Sequence, residues 1–350
     1  MDFIYNGQGT GNVAGRLINN GFNPNVLRPY LNKRGQACMT IVENGKPKQV
    51  VVSNAEATLR KEDWKTIDRA VLKASQPRFK AFNYLRSSGL TYSIPNGMAK
   101  TVLESESVSD ITDATIDMDG LAEGQRDRPA FDLENLPLPI IHKDFSYSAR
   151  QLAASRYGNG SPLDTTHAEL AGRKVAEAIE QLYLGTFGTY RFGGGSVWGL
   201  TNFPKRITTS LTMPDGTNQK TTLNEILAMR DLAKDQHHYG PFALYFGTAW
   251  DRFLDDDYST EYPGVTLKDR LEKVTGIDMV DTLDFLPGFQ AVLVEKSTDT
   301  VRAVLGMDLT TVQWESKGGM QVNFKVMAIM VPQLRADFHN NCGIVHATTN

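Results

Sequence analysis

"LPLPIIHKDFSYSARQLAASR" runs from Leu136 to Arg156. Leu136, Leu138 and Ile140 alternate with Pro137, Pro139 and Ile141. Alternation at period two reads as extended chain, and proline, which has no N–H to donate, keeps such a chain out of the middle of a sheet. After Ile141 charge arrives, and from Ser148 the pattern turns helical. A proline-stiffened segment is thus delivered into the start of a helical body. On its upstream side Ala114, Ile116 and Met118 alternate with polar neighbours, and Asp119-Gly120 supplies turn chemistry. Residues 89–148 therefore read as a long two-stranded arm with an irregular tip around Ala122 to Pro129. Its apolar side chains are too sparse for a core, and an isolated ribbon is marginal in water, so it must lie on other structure.

The strongest helix follows. Thr166 and Glu169 fit a capping box, and Ala171, Val175, Ala178 and Leu182 recur at three and four, with Ile179 widening the stripe and Gly185 ending it. The stripe is rich in small residues, so Ala171 and Ala178 are expected to face close-packed structure. FGGGSVWGLTNFP (192–204) is a glycine-rich connector; the Lys-Ser/Thr element of a phosphate loop is missing. Before the arm, Trp64, Ile67, Val71 and Leu72 mark one helix face, Pro77 interrupts, and Phe79, Phe82 and Leu85 mark a second, closed by Gly89. Residues 1 to about 50 are rich in Gly, Asn and Pro without a sustained period and read as an extended arm. Gly7, Gly9 and Gly11 lack the preceding strand that a dinucleotide fingerprint needs.

Residues 205–310 read as a compact α/β unit. Helices are expected around Leu223–Leu232, from Thr248 as cap through Leu254, and over Leu267–Val274 up to Gly276. Strands are expected at Phe242–Phe246, Ile277–Val280, Ala291–Val294 and Val301–Leu305, then at Thr311–Trp314, Phe324–Met330 and Gly343–Ala347.

The 350 residues are 41% hydrophobic and 22% charged, which is ordinary globular composition. A formal net charge of −3 excludes a strongly basic global field. Cys38 and Cys342 are the only cysteines, which fits a reduced setting better than secretion. The N-terminus lacks a signal-peptide design, and no apolar run approaches the ~20 residues of a membrane helix. Catalytic patterns are missing as well. His142, His167, His237, His238, His339 and His346 form no HExxH motif, adjacent His237 and His238 make a poor metal pair, and Asp255, Asp256 and Asp257 read as a solvated turn. There is no GxSxG, and neither cysteine sits in a nucleophile signature. No catalytic residue, metal site or cofactor is expected.

The order of these elements resembles that of tailed-phage major capsid proteins and the related encapsulins, which share the Hong Kong 97-type fold. Residues 136–156 look like the re-entry of the extended loop into the peripheral domain, and 164–185 like the spine helix. GLTNFP looks like the crossing into the axial domain, VPQLRADFHNNCGIVHATT like the closing strands, and DWKTIDRAVLKASQPRFKAFNYLRSSGLTY like the helix before the loop. The resemblance runs from about residue 60 and implies an α+β chain in six parts: an N-terminal arm (1–60), a helix leading to the loop (61–88), the extended β-loop (89–148), a peripheral domain (149–204) with its spine helix (166–184), an axial domain (205–310) and closing strands (311–350). It implies a non-enzymatic subunit that forms the hexamers and pentamers of an icosahedral shell, in a virion assembled in the host cytoplasm. Its partners would be further copies, a portal, scaffold or decoration proteins, and non-specifically packaged double-stranded DNA, with no membrane. An encapsulin shell around cargo enzymes is the nearest alternative, and a cytosolic α/β enzyme built around Asp255 the alternative of another class. The arm before the first helix is short for a removable scaffolding segment, so no proteolytic maturation is expected. Lys100, the only lysine between Gly89 and Ile141, is too little to assign a cross-link.

Charge is segregated along the chain. Residues 1–88 hold fourteen basic against six acidic residues, a net of +8, and residues 89–148 hold four against eleven, a net of −7. Such segregation suits an acidic arm lying on a neighbouring copy. The expected contact residues are Arg60, Lys61, Lys65, Arg69 and Lys73 on one side and Glu104, Glu106, Asp110, Asp113, Asp117, Asp119 and Glu123 on the other.

Overall fold

A computed structural model describes residues 4–5, 8–9, 28–43, 46–51, 59–95, 97–109, 116–119, 128, 130–155, 163–258, 264–337 and 339–349. In chain order the first strands are β1 (Ile4–Tyr5), β2 (Gln8–Gly9), β3 (Tyr30–Leu31), β4 (Ala37–Glu43), β5 (Lys46–Val51), β6 (Thr91–Ser93), β7 (Val102–Val108), β8 (Phe131–Pro137) and β9 (Ile141–Ser148). They are followed by β10 (Tyr190–Phe192), β11 (Gly195–Val197), β12 (Ile207–Leu211), β13 (Phe242–Gly247), β14 (Ile277–Leu283), β15 (Gln290–Glu295), β16 (Val301–Ser316), β17 (Gln321–Leu334) and β18 (Ile344–Thr349). The helices are α1 (Lys61–Ser75), α2 (Lys80–Ser87), α3 (Ala149–Ala154), α4 (Thr166–Leu184), α5 (Gln219–Asp235), α6 (Asp251–Leu254) and α7 (Leu267–Glu272). Among the described residues helix and strand both contribute heavily, at 29% and 37%, so the fold is α+β.

Two compact units divide the chain. The first holds residues 1–101, 138–181 and 303–331, and the second holds residues 102–137, 182–302 and 332–350.

In the first unit a sheet of order β6-β16-β17-β9 carries an aromatic cluster. Phe145 of β9 stacks on Phe324 of β17 at 5.1 Å, and Tyr147 and Trp64 meet Phe324 edge-on at 5.7 and 5.8 Å. Trp64, Ile67 and Val71 are buried as their spacing predicts, and Pro77 falls in a short 3-10 turn between α1 and α2. Residues 1–50, expected as a featureless arm, contain the antiparallel sheet β3-β4-β5. Their alternation is masked by Lys46-Pro47-Lys48 on the edge strand, and what holds them is polar. Arg28 is fully buried, pairs with Asp68 at 2.6 Å and lies 4.3 Å over the Trp64 ring, whose Nε1–H donates to the Pro29 carbonyl.

Helix α4 spans the expected residues 166–184. Its cap sits one residue earlier than expected: Thr165 Oγ1–H donates to Glu169, while Thr166 donates both N–H and Oγ1–H to Asp164. Those two bonds hold the Asp164 carboxyl below its usual range. The buried stripe keeps four of the five expected residues and differs at one position. Ala171, Val175, Ile179 and Leu182 are buried, but Ala178 is only half-buried and Ala176 is fully enclosed. The reason is the approach of α1, because a Cβ on Gly172 would lie 2.8 Å from the Val71 carbonyl oxygen, so this side of α4 accepts a neighbouring backbone directly.

Glu180, also on the buried side, accepts the N–H of Ala81 at 2.6 Å and of Phe82 at 3.3 Å. It thereby caps the first turn of α2, where unsatisfied amides and the helix dipole favour a negative charge.

In the second unit the sheet order is β12-β18-β15-β13-β14, with β12–β18 and β13–β14 parallel and the other pairs antiparallel. Helices α5 and α7 supply Ile226, Met229 and Leu271 to a core with Phe242, Phe246, Trp250 and Leu293. Thr266 caps α7 as a capping box with Asp269, whereas Thr248 opens a 3-10 turn and caps nothing with its side chain. The strands expected separately at Val301–Leu305 and Thr311–Trp314 are one strand, β16; buried polar Asp308, paired with Arg86, interrupts its apolar pattern without breaking it.

Two outcomes test this packing. Ala176→Glu would bury an unpaired carboxylate and should yield insoluble or unfolded protein, while Ala178→Glu should remain soluble, both read by solubility and thermal melting. Glu180→Ala should lower unfolding stability by about 2–3 kcal/mol in urea titration, because two buried amides lose a charged acceptor.

Candidate functional site

The ribbon pairs β7 with β8 in the register Val102↔Pro137 to Val108↔Phe131. The opening stretch therefore divides: Leu136 and Pro137 end the outgoing pair, Leu138 is buried, and Ile140 is exposed. At the base the Leu138 N–H donates to the Thr101 carbonyl. The pairing ends at Val108 and Phe131 and residues 116–119 are not strand; Ala114 and most of the expected tip, 122–127 and 129, lie outside the described residues.

The glycine-rich connector supports this ribbon. It forms the β10–β11 hairpin, turning at Gly193 and Gly194 with positive φ. A Cβ on Gly195 would lie 2.0 Å from the Asn135 carbonyl oxygen, so only glycine allows the hairpin to touch β8. Asn135 Nδ2–H donates to the Gly193 carbonyl, and Lys205 pairs with Glu134 at 3.1 Å. The sequence did not single out Asn135, Glu134 or Lys205; the run of three glycines was the available signal for a close backbone approach.

The expected acidic residues sit on this ribbon and beyond it. Glu104 and Glu106 share one exposed face of β7, opposite Asn135 and Leu133. Asp117 and Asp119 are exposed and flank Ile116 and Met118, which are 98% and 99% exposed. Asp110, Asp113 and Glu123 lie outside the described residues. The expected basic residues belong to the first unit. Arg60 is exposed and its N–H donates to Asp63, at the start of α1. Lys61 lies 5.9 Å over the Tyr30 ring, and Lys65 pairs with Glu62 at 3.2 Å. Arg69 and Lys73 are exposed on the same side of α1, at the i+4 and i+8 positions from Lys65.

Two of the six histidines, His346 and His238, sit in hydrogen-bonded, largely buried positions. His346 Nδ1 faces Arg206 Nε at 3.3 Å, and its Nε2 faces Gln290 Oε1 at 3.0 Å. A guanidinium only donates, so Nδ1 is the acceptor and the ring is neutral. Burial, with Arg206 adding to it, pushes its pKa down to about 4. His238 pairs with Glu295, and that hydrogen bond raises the histidine pKa. Burial pushes Glu295 up, but bonds from His238, Thr300 and Gly240 outweigh it and the net direction is down. Both cysteines are buried free thiols, and burial pushes Cys342 up to about 12, so it is inert. Asp256 and Asp257 are engaged by backbone amides in their turn. Among the described residues no group of three His, Cys, Asp or Glu is placed to hold a metal, and no helix is long and apolar enough to cross a membrane.

The model of a family of unknown function, DUF6260, matches residues 54–347. The chain belongs to this family. A search of curated protein sequences gave no match. In structure, this DUF6260 member is similar to a virus-like particle from Pyrococcus furiosus, at TM-score 0.60 and 15% identity over 82% of this chain and 99% of the other. It is similar to the capsid of Myoviridae phage XM1, at TM-score 0.53 and 12% identity over 77% and 92%. A Microbacterium phage Oxtober96 structure gives TM-score 0.53 and 14% identity over 75% and 90%. The DUF6260 chain therefore has the Hong Kong 97-type fold that its element order resembled.

The histidine pair sets a pH test. A folded pKa near 4 for His346, against about 6.5 unfolded, withholds a proton from the folded state, so stability is full above pH ~6.5 and falls by about 3 kcal/mol as pH drops toward 4. His238, raised, works oppositely: its contribution is full below pH ~6.5 and is lost as pH rises through its folded pKa. Melting curves between pH 7 and 5 should flatten in His346→Gln and steepen in His238→Gln.

Proposed function

We propose that this chain is the major capsid protein of a tailed bacteriophage, which self-assembles into an icosahedral head shell around double-stranded DNA. The observation that carries the reading is coverage. The chain covers 99% and 92% of the particle and capsid chains it is similar to, so the likeness extends over their whole fold rather than over a shared fragment. The ribbon agrees with it, since Phe131, Leu133, Ile116 and Met118 are left exposed and would gain burial against another chain. Its work is assembly rather than catalysis. Its partners are further copies in hexamers and pentamers, with a portal, scaffold or decoration proteins and non-specifically held DNA, in a virion assembled in the host cytoplasm. An encapsulin-type shell around protein cargo is the second reading, favoured by the higher TM-score of 0.60 to the Pyrococcus furiosus particle. Negative-stain microscopy of the purified protein should show closed shells, and nucleic acid in particles from the native source would favour the phage reading over the encapsulin one. A fixed small oligomer at all concentrations would reject both.

The contact chemistry is proposed as charge complementarity between the acidic ribbon, with Glu104, Glu106, Asp117 and Asp119, and the α1 stripe of a neighbour, with Arg60, Lys61, Lys65, Arg69 and Lys73. Asp110, Asp113 and Glu123 extend the acidic side. Each exposed pair is worth only about 0–1 kcal/mol, but a lattice repeats it many times. Replacing Lys65, Arg69 and Lys73 with Glu should leave a folded subunit by circular dichroism and weaken shell formation by light scattering. Assembly of the parent should slow at high salt, as screening acts on exposed pairs. Equal assembly by variant and parent, with no salt effect, would sink this contact.

A further inference from the structure

Four cations line one open groove in the first unit. The groove has a volume of about 970 Å³ and is walled by the β3–β4 turn, by Gln49 and Val51 of β5, and by the start of α1. Lys33 and Arg34 come from the turn, and Arg60 and Lys61 from the helix start. The two basic walls are fastened together. The Leu31 N–H donates to the Leu59 carbonyl at 2.9 Å, and Leu31 bridges Arg60 in parallel. The turn is fixed by its own bonds: Asn32 Oδ1 accepts the N–H groups of Arg34 and Gln36, each at 2.9 Å. Lys61 Nζ lies 5.9 Å over the ring of Tyr30, whose hydroxyl meets Thr40 Oγ1 at 3.1 Å. None of the four cations makes an ion pair among the described residues. The one carboxylate lining the groove, Glu62, is paired with Lys65.

Like charges held on two fastened walls repel one another, and an anion with several charges close together relieves that repulsion. Guanidinium forks match phosphate oxygens in two-point contacts, and lysine adds a point charge. The volume is that of a site for one small molecule rather than a track for a polymer. A docked peptide strand is disfavoured as well, because Pro47 on the free edge of β5 has no N–H to offer, and proline at an edge deters strand addition. We propose that this groove binds a compact oligophosphate anion, a triphosphate chain either free or carried by a nucleotide. The site goes beyond the proposed function and does not depend on shell formation. Arg60 and Lys61 are shared with the proposed ribbon contact, for which Lys65, Arg69 and Lys73 remain.

Isothermal titration of the full-length chain with sodium tripolyphosphate, and separately with adenosine triphosphate, tests it. Citrate is the carboxylate probe and a short DNA duplex the polymer probe. Saturable binding at one site per chain is expected, and the tighter of the two triphosphates names the source of the anion. Lys33→Gln/Arg34→Gln changes two exposed side chains of the turn, so the circular dichroism spectrum should not move. Binding in that variant should weaken by at least about tenfold, the loss of one charge-assisted contact. Arg60→Gln should weaken it likewise from the other wall. Arg270→Gln/Lys273→Gln removes the same charge from exposed positions of the second unit and should leave binding unchanged. No saturable binding of either triphosphate overturns the proposal. So does an equal loss in the Arg270→Gln/Lys273→Gln variant, which would reduce the effect to net charge. Citrate or duplex binding as tightly as tripolyphosphate also overturns it, since the groove would then belong to carboxylates or to a polymer backbone.

Discussion

A single carboxylate sets the geometry of the first unit. Glu180 stands in the buried stripe of α4, where an ionised group without partners would be prohibitive. The amides of Ala81 and Phe82 satisfy it, and the start of α2 is the place where two amides are free and the helix field favours an anion. This bond is directional in a way that apolar packing is not. It fixes where α2 begins along α4, and hence where the chain leaves at Gly89 for β6. From there, a Cβ on Gly97 would fall 2.4 Å from Gly306 Cα, so the path toward the ribbon is again set by backbone against backbone. The same economy recurs at Gly172 and Val71. Small residues and one buried charge, rather than large side chains, determine how α1, α2 and α4 lie together.

Much of this was legible in the sequence, and the misses have physical causes. The bounds of α4 were readable because Gly185 adopts φ +88°, which ends a helix, and because its apolar residues keep one period. One position of its stripe, Ala178 in place of Ala176, was misread because alanines occur on both sides of the helix; a stripe of small residues marks close approach without saying which backbone approaches. Glu180 was the missing clue: a lone charge four residues after a buried alanine, inside an apolar stripe, needs a partner of its own. The sheet β3-β4-β5 was invisible because a buried Arg28–Asp68 pair under Trp64 anchors it, and a pair forty residues apart leaves no local pattern. The candidate contact residues were legible only as charge segregation. Exposed side chains are under no packing constraint, so their partners cannot be read from neighbours in sequence, and Lys205–Glu134 is of the same kind.

The ribbon shows how the two levels meet. Near its base it is supported by its own unit, through the contact of Gly195 with Asn135. Farther out, Ile116 and Met118 present nearly all their surface to water. Burying each against a partner is worth roughly 1.5–3 kcal/mol, well above any one exposed ion pair. On the proposed function, apolar contact would then supply most of the affinity at the tip. The flanking Asp117 and Asp119 have a different part. Charges beside exposed apolar residues deter indiscriminate pairing, since a wrong partner must desolvate them without compensation, and they speed encounter with a basic surface. On the proposed contact, attraction between a −7 arm and a +8 segment would steer the approach and be screened by salt, while an apolar contact, once docked, would not. Salt should therefore act mainly on how fast copies associate, and truncation of the two apolar side chains mainly on how long they stay together.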